Sequence, residues 1–244
     1  MREAGRINAE ALAAAREIIC PGVTTADLDA AAEEVLKKYG CYSPFKGYPG
    51  PYPYPASTNV CINNELVHGI PGKRKLKEGD IVSVDCGTVF EGYVGDSAFT
   101  ACVGNVSPEA QKLVETVEGA LYAGIEQMVA GNHVGDISAA IQNYAESRGF
   151  HVTREYTGHG VGRAMHEGPQ VPNYGTPGRG LVLRAGMTIA IEPMLLVGTP
   201  ATRVLPDQWT VSSADGSLTA HYEHTIAVTD NGPLILTTQE NGSI

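Results

Sequence analysis

Two aspartates, Asp85 and Asp96, bracket the segment Cys-Gly-Thr-Val-Phe-Glu-Gly-Tyr-Val-Gly. Two strand-like runs around a glycine turn read as a β-hairpin. With Phe90 and Glu91 as the loop, the two aspartates stand directly opposite each other on one face, Cβ atoms about 4.5–5.5 Å apart. Unpaired carboxylates that close repel strongly, and a shared cation is the natural compensation. On the hairpin alone, two solvated aspartates beside a turn is the plainer reading. The apolar run Ile-Val-Ser-Val entering Asp85 weakens it. Carboxylates in buried strands are rare unless paired or metal-bound.

Two glutamates repeat the pattern. Glu192 follows Met-Thr-Ile-Ala-Ile, and Glu223 precedes His-Thr-Ile-Ala-Val. Either alone is open to a salt bridge, but four strand-borne acids together read as a cation-binding set. Gly158-His159-Gly160-Val161-Gly162 adds an imidazole. Its glycines permit close backbone approach and unusual φ/ψ angles; a glycine-rich turn with an incidental histidine is the alternative. The segment lacks the Lys-Ser/Thr of a phosphate loop. His166 is followed by Glu167 but is not part of an HExxH helix, which excludes a zincin. His68 sits in Val-His-Gly-Ile-Pro, a tight turn. Each histidine by itself is more often structural than catalytic.

Elements that position these residues come in a regular order. Helical periodicity spans 4–19, 25–39, 107–130 and 136–148, with a capping-box pattern at Thr24 to Asp27 and glycines at 40, 131 and 149. Strand-rich runs cover 80–103, 187–197 and 208–238. Tyr48 to Pro55 reads as an ordered loop. Leu12, Gly22, Asp27 and Gly40 match Leu121, Gly131, Asp136 and Gly149 at an offset of 109; Leu76, Gly79 and Asp85 match Leu183, Gly186 and Glu192 at 107. Two runs with nearly the same offset point to an internal duplication in which each half delivers acids to a shared centre.

The 244 residues suffice for one large core or two small domains. A net charge of −10 argues against bulk nucleic-acid binding. Five scattered cysteines without a CxxC pair fit reduced thiols in a cytoplasm. No apolar run approaches the roughly 20 residues that span a bilayer, and the first twenty residues do not form a signal peptide. Lys73-Arg74-Lys75-Leu76-Lys77 is a local basic run. It reads as a solvated turn, with contact to ribosomal RNA as the functional alternative.

The set NNELVHGIPG, DIVSVDCG with GYVGDSA, GHGVGRAMHEGPQVPNY, AGMTIAIEPM and HYEHTIAVTD resembles the type I methionine aminopeptidases, in order and over nearly the whole chain. The resemblance implies an α+β "pita-bread" fold of two pseudo-symmetric halves, each a helix pair on a curved antiparallel sheet, with residues 1–244 as one catalytic domain. It puts Asp85, Asp96, His159, Glu192 and Glu223 on the ligand positions of two divalent ions (Co, Mn, Fe or Zn). Asp96 and Glu223 would bridge both ions, Asp85 complete one, and His159 with Glu192 the other. His68, His166 and Glu192 fall on catalytic positions, the two histidines also touching substrate. Tyr54, Met165 and Trp209 fall on the methionine pocket, Met165 where relatives often carry an aromatic. The loop SPFKGYPGPYPYPAST departs from the family pattern, which bears on Tyr48, Tyr52 and Tyr54. The implied partners are nascent chains beginning with Met and, transiently, the ribosome, for a cytoplasmic monomer without membrane contact. Two rivals follow from the same residues: an Xaa-Pro peptidase, usually with a large added N-terminal domain, and a non-catalytic binding protein, which generally has lost ligands.

Overall fold

The computed structural model describes residues 1–238; the last six residues of the expected domain, 239–244, lie outside the described residues. The first half contains α1 (Arg2–Glu17), α2 (Thr25–Lys38), β1 (Thr58–Ile62), β2 (Glu65–Val67), β3 (Ile81–Phe90) and β4 (Tyr93–Cys102). The second contains α3 (Pro108–Ile125), α4 (Val134–Glu146), β5 (His151–Val152), β6 (Thr157–Gly160), β7 (Glu167–Pro172), β8 (Thr188–Ile191), β9 (Met194–Leu196), β10 (Thr202–Val204), β11 (Val211–Ser213), β12 (Thr219–His221), β13 (His224–Thr229) and β14 (Gly232–Ile235). Helices pack on antiparallel sheets, as the expected α+β class requires. The sheets run β1-β3-β4, β10-β11-β2, β12-β9-β5 and β14-β13-β8-β6-β7.

The helices start where the capping chemistry directs. Thr24 N–H donates to Asp27 Oδ2 at 2.9 Å and Asp27 N–H to Thr24 Oγ1 at 3.2 Å, which satisfies two exposed donors of α2. In α4, Asp136 accepts the His133 N–H at 2.7 Å. This helix opens at Val134, two residues before the expected 136. The third helix is shorter than its periodicity predicts. It ends at Ile125 rather than near Gly131, and the chain turns through i→i+3 bonds, Gln127 to Gly124 and Met128 to Ile125, which bury Met128 completely.

The duplication is present in the hydrogen bonds. Gly22 N–H bonds Leu76 O, and Gly131 N–H bonds Leu183 O. Leu76 N–H returns to Val23 O, and Leu183 N–H to Asn132 O. The four equivalent glycines 22, 40, 131 and 149 all have positive φ, a conformation side chains resist. Leu12, Leu121, Leu76 and Leu183 are all buried in one core cluster. The repeat extends to the returning strands at a different offset. Gly79 N–H bonds Val103 O, and Gly186 N–H bonds Val228 O, so residue 103 corresponds to 228, an offset of 125. The ladders agree with it. Asp85 stands opposite Ala98, and one step beyond the His224–Ile191 pair Glu192 comes opposite Glu223.

The first hairpin corrects the expected register. Phe90 pairs with Tyr93, so the loop is Glu91-Gly92, not Phe90-Glu91. Both loop residues have positive φ, 49° and 76°. A tight turn matched to strand twist demands this of both central residues, and glycine fits the second place better than glutamate does. Asp85 therefore faces Ala98, and Asp96 faces Gly87. The aspartates are diagonal neighbours on one face rather than a direct pair, a separation of about 7–8 Å between Cα atoms that leaves more room between the carboxylates.

Candidate metal centre

The two halves meet where β4 of the first bridges to Glu223, just before β13 of the second. Ala98 N–H donates to Glu223 O at 3.2 Å, and Glu223 N–H to Ala98 O at 2.9 Å. Flanking this bridge, the Thr225 hydroxyl donates to Asp96 O at 2.8 Å and accepts from Asp96 N–H at 3.0 Å. The Thr100 hydroxyl does the same for His221, donating to its carbonyl at 2.6 Å and accepting from its N–H at 3.0 Å. Each half thus holds the acid-bearing strand of the other, and the side chains of Asp85, Asp96, Glu192 and Glu223 converge on the seam.

Asp96 and Glu223 are 2% exposed. His159 Nε2 lies 3.6 Å from Asp96 Oδ2 and 3.5 Å from Glu192 Oε1, and its Nδ1 is 2.9 Å from Gly160 O. That bond keeps the Nδ1 proton in place and leaves Nε2 with its lone pair toward the acids. Asp85 receives one bond, from Asn59 Nδ2 to Oδ2 at 2.8 Å. Among the described residues, Asp85 Oδ1, Asp96 Oδ1, Glu223 Oε1 and His221 Nε2 are buried without a hydrogen-bond partner. So many orphaned acceptors in one place are costly unless a cation joins them. Burial, then mutual repulsion, holds the Asp96, Glu192 and Glu223 carboxyls well above their usual range. Burial alone pushes Asp85 up to about 7 despite the Asn59 bond. Burial lowers His159 to about 4, so its imidazole is neutral at pH 7. Ligand-sized spacings unite Asp96, His159 and Glu223, and also Glu192, His221 and Glu223. Carboxylate oxygens with neutral imidazole nitrogens form a donor set suited to a divalent transition metal, so these residues fit the expected ions.

The glycines beside His159 act by close approach. β6 is squeezed between β7 and β8. A Cβ on Gly158 would strike Ala190 O, and one on Gly160 would strike Gly168 O. Neither glycine has a positive φ, so close approach rather than a left-handed conformation is what these two positions require. Gly160→Ala is expected to lose about 1–3 kcal/mol of stability by overpacking and to weaken cation binding through a displaced His159. Chemical denaturation and metal titration measure the two effects; unchanged values in both would show that the sheet yields here.

A cleft of about 320 Å³ opens over these donors, lined by the four acids and the His159 imidazole together with His68, His166, Tyr54, Met165 and Trp209; Tyr48 also lines it, and Tyr52 does not. His68 turns the chain with φ 58° and sets its ring edge-on to Tyr156 and Trp209, centroids 5.9 and 6.4 Å away. His166 lies at the mouth, 3.0 Å from the Tyr48 hydroxyl through Nδ1 and 4.4 Å from the His159 ring. Tyr54 is buried, its hydroxyl donating to Gly69 O at 2.8 Å. It packs edge-on to Trp209, 5.2 Å between centroids. Met165, Phe45 and Tyr54 share one apolar cluster. The loop from Tyr48 to Pro55 is ordered as expected: Tyr52 OH donates to Asp207 O at 2.8 Å, and Trp209 Nε1–H to Tyr52 O at 3.2 Å. The sequence reading missed eight lining residues, among them Asn59, Tyr156, Met194 and His221. His221 had a visible signal: it stands two residues before Glu223, so extended chain carries both side chains to one side.

A family model described as metallopeptidase family M24 matches residues 1–230. A methionine aminopeptidase of Clostridium acetobutylicum is 52% identical over 238 residues, 97% of this chain and 94% of that protein. Methionine aminopeptidase 1 of Bacillus subtilis is 49% identical over 237 residues, again 97% and 94%. The crystal structure of a methionine aminopeptidase from Thermotoga maritima superimposes with a TM-score of 0.95 at 48% identity, covering 98% of this chain and 95% of that one. A prolidase from Pyrococcus horikoshii follows at 0.75 and 26%, with this chain covering 61% of it. Four acids and a histidine gathered between duplicated halves, under an aromatic cleft, are therefore the setting of a shared fold and a shared sequence: the chain belongs to metallopeptidase family M24, among its methionine aminopeptidases.

Proposed function

We propose that this chain removes the initiator methionine from nascent proteins whose second residue is small, using two divalent ions held by Asp85, Asp96, His159, Glu192 and Glu223. The observation that carries this reading is the cluster of orphaned, buried donors beneath a half-apolar cleft. The ions, whether Co, Mn, Fe or Zn, supply Lewis acidity toward the peptide carbonyl and make water a stronger acid. The chain's residues do the rest. His68 and His166 hydrogen-bond the substrate backbone and the oxygen on which charge develops. Glu192, which lines the cleft beside the donors, carries a proton to the leaving amine. Tyr54, Met165 and Trp209 receive the unbranched thioether in an apolar pocket, where sulfur packs well against ring edges.

The span 1–244 acts as one catalytic domain in this reading, a cytoplasmic monomer. Among the described residues no helix is long and apolar enough to cross a membrane. Lys73, Arg74, Lys75 and Lys77 are exposed, although Arg74 is tied to Glu65 at 2.7 Å. The remaining lysines are offered for a passing contact with ribosomal RNA.

Hydrolysis of Met-Ala, Met-Arg and Ala-Pro peptides, with and without a chelator, tests the function. Met-Ala is expected to be cleaved rapidly, Met-Arg poorly and Ala-Pro not at all, with activity lost to chelation and restored by Mn²⁺ or Co²⁺. Preferred cleavage of Ala-Pro would favour the prolidase-like alternative, and rapid Met-Arg turnover would remove the small-residue requirement.

A further inference from the structure

His221 is not one of the five ligands proposed above, yet its surroundings match those of His159. It is 2% exposed. Its Nε2 has no hydrogen-bond partner and lies 3.7 Å from Glu192 Oε2 and 3.7 Å from Glu223 Oε2. Those separations are too long for hydrogen bonds. Donors sharing one ion at about 2.1 Å sit roughly 3.0–3.4 Å apart, so closure by a few tenths of an ångström completes the set. His159 Nε2 shows the same spacing to its two carboxylates, 3.5 and 3.6 Å. The two imidazoles flank Glu192, one on each carboxylate oxygen.

The duplication gives an independent reason. At the offset of 125 that relates the returning strands, residue 98 corresponds to 223, 100 to 225 and 96 to 221. The contacts obey this correspondence. Ala98 and Glu223 bond each other, Thr225 grips the backbone of Asp96, and Thr100 grips the backbone of His221. His221 thus occupies in the second half the place Asp96 occupies in the first.

We infer that His221 is a sixth protein donor to the metal centre, binding a divalent cation through Nε2 together with Glu192 and Glu223. The inference rests on the metal reading above. The centre then carries two imidazoles, which shifts it toward softer divalent ions of the Co and Zn kind relative to Mn.

Affinity alone does not separate a ligand from an outer partner, because losing either weakens binding; outer partners cost about 10–100-fold. Proton NMR of the Co²⁺-loaded protein does separate them. Each imidazole bound to Co²⁺ gives one exchangeable N–H resonance shifted far downfield and lost in D₂O. The wild-type protein is expected to show two. His159→Ala should lack one, His221→Ala the other, and His221→Ala should also bind one Co²⁺ at least about tenfold more weakly. A single resonance in the wild type, lost in His159→Ala, overturns the inference while the two-cation reading stands. If the ion-free protein takes up no Co²⁺, both fall together. The wild-type count does not depend on any variant folding.

Discussion

His166→Ala is expected to lower kcat on a Met-Ala peptide about 10²–10³-fold, equivalent to roughly 2.7–4 kcal/mol of transition-state stabilisation, while the protein keeps its full complement of cations. The geometry separates this residue from the donors. His166 lies at the mouth of the cleft, and its Nδ1 is already engaged, 3.0 Å from the Tyr48 hydroxyl. With that hydroxyl donating, the imidazole retains its proton on Nε2 and presents a donor to the cleft. A donor aimed at developing charge contributes more in the transition state than in the bound substrate, so its loss appears in kcat rather than in KM. His159→Ala should also be slow, for a different reason: it removes a nitrogen from the cation-binding set. Calorimetric titration of the two ion-free variants with Mn²⁺ distinguishes them. If His166→Ala loses cations as His159→Ala does, His166 is a ligand. If it keeps both cations and rate, it is structural and the oxyanion role is wrong.

Much of the centre was legible because strand periodicity is rigid. An acid at the end of an apolar strand points to a predictable face, and the four acids stood in two such contexts per half. The duplication was legible from glycines, since positive φ leaves few alternatives at 22, 40, 131 and 149. The hairpin register was not, because it turned on a choice between Phe90-Glu91 and Glu91-Gly92; only the backbone demand of the turn decides it. The end of α3 was misplaced for a similar reason. Apolar residues continue to Val129, but Met128 is buried by turns rather than by helix. Asn59 and Tyr156 could not be found from spacing. Asn59 reaches Asp85 across the β1–β3 ladder, and Tyr156 meets His68 from the other half, contacts that long-range pairing alone creates.

Glu223→Gln is expected to remove most of the cation-induced stabilisation and to lower activity by about 10²–10⁴-fold, the rate equivalent of the several kcal/mol that metal-assisted charge stabilisation provides, yet to make the ion-free protein more stable than the wild type. Glu223 is shared by both ligand-sized groups, so neutralising it weakens each at once. Without ions the same carboxyl is a liability. Its burial, and then repulsion from Asp96, Glu192 and Asp85, raises its pKa. A folded-state pKa above the unfolded value means that stability is full at low pH and falls as pH rises toward the folded value. Asp96 and Glu192 act in the same direction. His68, His159 and His224, lowered to about 4, and His221, lowered to about 3, oppose this only below their unfolded value near 6.5. Above about pH 6.5 the carboxyls therefore dominate, and the melting temperature of ion-free wild type should fall as pH rises through about 7, the value to which burial pushes Asp85. Cations reverse this by displacing the protons. Glutamine keeps the volume of the side chain and removes one raised group, so the fall should be shallower and the gain on adding Co²⁺ small. Thermal melts of both proteins across this pH range, with and without Co²⁺, provide the measurement. An ion-free variant less stable than ion-free wild type would mean that Glu223 is held by neutral hydrogen bonding rather than strained by its neighbours, and the electrostatic account of the centre would have to be abandoned.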